Sequence, residues 1–165
     1  MAALAAVSKG NVGWLGPLGA CEALLLSYER HATNKEVISA IWNCIGTLCA
    51  YNRERFSCLG AAQYVVSSLR LHFQSGVDLG PNRESFSSLA SSASFAIGRL
   101  CEPINEGTRL SSLRNRKELY SVGCCEILTI VLSKEYSDAT AATNIFRAIA
   151  TMSNGIHCSQ VNVMI

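Results

Sequence analysis

The sequence predicts an all-α fold in which similar helical units stack side by side. Three observations predict it. First, an Asn followed eight residues later by a Gly occurs three times, as Asn11 to Gly19, Asn52 to Gly60 and Asn115 to Gly123. Second, each Gly is followed by two small residues and then by an apolar run of helical period. Third, Ile41, Trp42, Ile45 and Leu48 fall on Ile145, Phe146, Ile149 and Met152 at a constant shift of 104 residues. Ile97, Gly98, Leu100 and Cys101 match Ile45, Gly46, Leu48 and Cys49 in the same way. Self-similarity of this kind marks repeat architectures, in which one unit cannot cover its own apolar face and its neighbour does so.

The elements follow in order. Residues 1–10 resemble the last part of a unit's third helix, with Leu4 and Val7 aligned to Ile45 and Leu48. Each repeated Asn opens a short first helix, because its side-chain oxygen can accept from free backbone N–H groups. Each Gly ends that helix or permits a sharp turn, because Gly tolerates positive φ. Second helices are expected over about 20–30, 61–72 and 124–134. Third helices are expected over about 35–50, 83–100 and 139–153, each opening on an Asn or Asp cap, among them Asn34 and Asp138. Val37, Ile38, Ile41, Trp42, Ile45 and Leu48 recur at i, i+3 and i+4, which marks one buried helical face.

The chain divides into a partial unit at 1–10, units at 11–52, 53–105 and 106–154, and a truncated unit at 155–165. The first two motifs are 41 residues apart (Asn11 to Asn52) and the next two 63 (Asn52 to Asn115). The excess is assigned to two surface insertions, the Gly/Pro loop FQSGVDLGP after His72 and the polar EGTRLSSLR before Asn115, and to a middle third helix about one turn longer.

Composition bounds the function. The 165 residues are 49% hydrophobic and 16% charged, which excludes a disordered chain. A net charge of +2 is too small to argue for nucleic acid or an anionic membrane. The eight cysteines sit mostly in apolar stretches and read as small buried side chains in a reducing compartment. The N-terminus lacks a basic leader and Lys9 interrupts its apolar run, so no secretion signal is expected. No uncharged apolar run is long enough to predict a membrane span. The chain therefore reads as cytoplasmic, with the nucleus also open to it.

A nucleophile elbow, a phosphate-binding loop, a zinc-protease motif and a dinucleotide fingerprint are all absent from the sequence. His31 and His72 occupy equivalent places at the ends of second helices, which argues for a packing or helix-terminus role. His157 and Cys158 have no evident metal-binding partners. An enzyme, a metal site and a cofactor are not expected.

The Asn-x7-Gly corner, the small pair after Gly and the apolar third helix together resemble the armadillo repeat, a unit of about 40 residues and three helices. The likeness covers nearly the whole chain; HEAT repeats are of similar length but usually have two helices. The resemblance to that family, which includes β-catenin and importin-α, implies a right-handed α-α superhelix of about three repeats with partial flanking units. It also implies a concave surface of stacked third helices along which a partner segment lies. Importin-α-like grooves repeat a Trp with an Asn four residues later. Here Gly46 follows Trp42 and Ala150 follows Phe146, so that mode is not expected. A β-catenin-like groove is basic and takes acidic ligands. On that model Asn43, Thr47, Arg99, Arg147 and Thr151 are the groove candidates. Arg109, Arg114, Arg116 and Lys117, at the second insertion, are a second candidate site for an acidic partner.

The expected function is a non-catalytic protein-binding scaffold or adaptor holding an extended or helical segment of a partner protein. The alternative is a purely structural stretch of a longer array with no ligand groove of its own. Neither a small-molecule substrate nor nucleic acid is an expected partner.

Overall fold

The computed structural model describes residues 12–74, 83–103, 107 and 109–154. Eight helices, and no strand, occur among the described residues: α1 (Val12–Leu15), α2 (Ala20–Arg30), α3 (Lys35–Cys58), α4 (Ala61–Phe73), α5 (Arg83–Cys101), α6 (Arg109–Ser121), α7 (Cys124–Glu135) and α8 (Ala139–Ser153). The flanking units expected at 1–10 and 155–165 lie outside the described residues, as do Asn11, most of the first insertion, and His157 with Cys158.

The second helices α2, α4 and α7 each begin on the residue after a repeated Gly. Gly19, Gly60 and Gly123 have φ of +88°, +72° and +74°, a left-handed corner that a side chain would strain. Two third helices open as expected. Asn34 accepts from the Val37 amide at 3.1 Å to start α3, and Asp138 accepts from the Ala141 amide at 2.8 Å to start α8. Asp138→Ala should cost about 1 kcal/mol, the usual value of a lost N-cap. Urea unfolding with an unchanged m-value is the check, and Asp138→Asn should recover most of the loss.

The repeated Asn does a different job from the one its position predicts. Asn52 does not open a new helix. It sits at a kink (φ −122°, ψ 20°) inside α3, which runs from a third helix straight into the next first helix. Asn115 lies in the middle of α6. Both are buried, and both donate through Nδ2 to a carbonyl in the last turn of a third helix: Asn52 to Leu48 at 3.3 Å, Asn115 to Leu100 at 3.0 Å. Leu48 and Leu100 are equivalent positions, so the Asn pins each first helix to the third helix before it. The second insertion also differs from expectation. From Arg109 on it is helical, with Ser111 and Ser112 buried and the Ser112 hydroxyl donating to the Cys101 carbonyl. Inward-facing hydroxyls with a backbone acceptor let a polar stretch pack as helix.

An Arg follows the Asn in both described copies and is buried. Arg53 donates through Nε and Nη2 to the Arg99 carbonyl (3.1 and 2.9 Å). Arg116 donates through the same two atoms to the Cys101 carbonyl (3.1 and 2.8 Å), and through Nη1 to Asn154. Each guanidinium thus supplies donors and positive charge where helix C-termini lack both.

The third helices are evenly spaced in sequence: Ile45, Ile97 and Ile149 are 52 residues apart. In space α5 lies between α3 and α8 and makes its most extensive contacts with those two. α4 packs on α3, α5 and α7, and α7 on α8. The molecule is therefore described as three layers, α2 with α3, α4 with α5, and α7 with α8. Trp42 of the first layer is wholly buried, packs against Tyr28 (ring centroids 5.5 Å apart) and donates through Nε1 to Ser68 of the second at 3.0 Å. A polar link also recurs between layers. His72 Nε2 donates to the Ala32 carbonyl at 3.0 Å, and Lys134 Nζ to the Phe73 carbonyl at 2.6 Å. Burial lowers the His72 pKa below its ordinary value, which favours the neutral ring.

Candidate protein-binding surface

The side-by-side arrangement of α3, α5 and α8 puts equivalent residues in rows across them. Asn43, Phe95 and Arg147 form one row, and Thr47, Arg99 and Thr151 another, each at 52-residue steps. An open groove of about 790 Å³ crosses the N-terminal halves of these helices. Most of its lining residues are Ser, Thr or Asn, and several of these bridge neighbouring helices. Ser39 lies 2.7 Å from Ser88 and 3.1 Å from Ser92, and Asn144 Nδ2 donates to Ser91 at 2.9 Å. Small side chains let the helices approach closely. A Cβ on Gly46 would lie 2.5 Å from the Phe95 ring, so this position has no room for the amide of a Trp–Asn ladder.

The electrostatics of the groove are mixed. Glu36 and Glu84, in the first turns of α3 and α5, and Asp138, the cap of α8, line it. Carboxylates here complement the positive ends of the helix dipoles. The expected arginines stand further along the helices. Arg99 is half-buried, its Nη1 2.7 Å from Glu102, in a separate cleft with Ala50, Tyr51 and Pro103. Arg147 is exposed on α8.

Of the five groove candidates, Asn43 lines the main groove. Thr47 and Thr151 turn their hydroxyls back to the carbonyls of Asn43 and Arg147, both at 2.9 Å. The four residues of the second candidate site all lie on α6 but not on one surface. Arg109, Arg114 and Lys117 are exposed, and Arg114 pairs with Glu54 at 3.0 Å. Arg116 is only 7% exposed and is committed to backbone carbonyls, so it is not presented to a partner. Sequence reasoning missed the serine row on α5. Its signal was the run SFSSLASSAS, six serines in ten residues of a helix that must pack on both sides.

Of the described cysteines, Cys58 and Cys125 are exposed. Cys21, Cys44, Cys49, Cys101 and Cys124 are buried, and no disulfide occurs among the described residues. Burial pushes the Cys21 thiol up to about 11, Cys49 and Cys101 up to about 12, and Cys124 higher still. Such thiols stay protonated, and the thiolate is the nucleophile. Among the described residues no three His, Cys, Asp or Glu side chains are grouped to hold a metal ion, and no helix is long and apolar enough to cross a membrane.

No protein-family model, curated protein or solved structure matches this chain.

Proposed function

We propose that the chain is an armadillo-type solenoid, a right-handed α-α superhelix, acting as a non-catalytic protein-binding scaffold in the cytoplasm or nucleus. A partner protein lies as an extended or helical segment across the third helices. The observation that carries this reading is the groove that crosses α3, α5 and α8, lined at equivalent positions of successive helices. Its hydroxyl and amide lining offers donors and acceptors to a peptide backbone. Its carboxylates at one side, and Arg99 and Arg147 beyond, offer charges that would fix direction. The glycine corners, the 52-residue step and the α3–α5–α8 order support the repeat reading.

A pull-down comparing wild type with Arg99→Glu/Arg147→Glu tests it. Both side chains reach solvent, so the variant should keep its helical circular dichroism. Its partner should be retained at least about tenfold more weakly, which corresponds to about 1.4 kcal/mol. Equal recovery by both proteins would remove the two arginines from the binding surface.

A further inference from the structure

The repeat register shows which surfaces a layer covers, and the last layer has one that nothing described covers. Trp42 and Phe73 are fully buried, Trp42 against a residue of the following layer. Their register equivalents in the last layer are Phe146 (104 after Trp42) and Tyr136 (63 after Phe73, as Gly123 is after Gly60). Phe146 is 58% and Tyr136 73% exposed. Ile149, equivalent to the buried Ile45, is only partly covered. The outer side of α7 and α8 is thus an apolar face of the kind that a further layer covers elsewhere in the molecule.

The same register identifies an occupant. Ala32, Phe73 and Tyr136 each stand thirteen residues after a repeated Gly. The first two carbonyls accept from a basic side chain of the following layer, His72 and Lys134. These donors stand twelve and eleven residues after their own Gly, and the first layer carries His31 and Arg30 at those two positions. Both are exposed. Ser27 is the equivalent of Ser68, the hydroxyl that meets Trp42. The first layer therefore repeats, on its outer side, the groups with which the second and third layers grip their predecessors.

We propose that the chain assembles head to tail. The outer surface of α2 in one copy docks on the α7–α8 face of another, as α4 docks on the first layer. Arg30 or His31 donates to the Tyr136 carbonyl, and Ser27 lies against Phe146. Such a contact joins two different surfaces, so every added copy leaves one of each free and growth continues until a ring closes. This surface is separate from the groove, and its test does not depend on groove binding.

Sedimentation velocity across a wide range of protein concentration provides the test. Wild type should rise in average mass past the dimer. Phe146→Glu and Arg30→Glu/His31→Glu should each sediment as monomers. Both alter exposed residues, and Trp42 fluorescence with circular dichroism checks that the fold is kept. An equimolar mixture of the two variants should form a dimer and nothing larger, because each retains one working face. Wild type that stays monomeric throughout overturns the proposal. So does association abolished by Phe146→Glu but untouched by Arg30→Glu/His31→Glu, the result of two α7–α8 faces pairing with each other.

Discussion

Trp42→Ala should destabilise the protein by about 3–5 kcal/mol, the range for emptying a large aromatic site in a packed core. In a chain of this size that is a fall in Tm of roughly 6–20 °C. The residue carries this much because it joins layers as well as filling space. Its ring packs on Tyr28, and its N–H reaches Ser68 across the boundary between the first and second layers. Trp42→Phe separates the two contributions. It keeps most of the apolar volume but leaves Ser68 without the ring donor, a loss of about 1–3 kcal/mol. Denaturant unfolding of the three proteins is the measurement. A loss below about 1 kcal/mol for the alanine variant would show that the site is not a close-packed junction.

Arg116→Met should be the second most damaging change, at about 1–3 kcal/mol in all for the lost charged hydrogen bonds. The Cys101 carbonyl keeps only its bond from Ser112, and the Asn154 carbonyl loses the Arg116 bond. Arg116→Lys should recover only part, because an ammonium cannot reproduce the fixed fork by which the guanidinium meets the Cys101 carbonyl through Nε and Nη2 and the Asn154 carbonyl through Nη1. The exposed neighbour provides the contrast. Arg114→Ala breaks a solvent-facing ion pair with Glu54 and should change stability by less than about 1 kcal/mol. Stability equal to wild type in Arg116→Met, with partner binding lost, would instead make Arg116 a surface contact.

These two arginines also mark how far the sequence could be read. In the sequence Arg114 and Arg116 are two members of one basic cluster, and nothing local separates them. What separates them is a carbonyl fifteen residues upstream, presented by the end of α5. The second and third helices were legible because their signals are local: a Gly corner, a cap three residues before its amide, an apolar stripe of helical period. The role of the repeated Asn was not. Its position before a helix looks like a cap, yet its partner is a carbonyl behind it, four residues back in the same helix for Asn52 and fifteen back, at the end of α5, for Asn115. The groove was legible as a set of helices and less so as a set of residues. Asn43 was named from its place on α3, and it lines the groove. The serine row was not, because hydroxyls on a helix look solvated until the neighbouring helix brings Ser39 within 2.7 Å.

The continuity of α3 through Asn52 has a mechanical consequence. The backbone passes from the first layer into the next within one bent rod, whereas at Glu102 and Pro103 it leaves helical geometry before α6 begins. A torque applied to α2 and the first half of α3 would travel down that rod to Phe56 and Cys58 through main-chain bonds. At the other junction the same load would pass through side chains, with the Asn115 and Arg116 contacts to the end of α5 serving as the rivets.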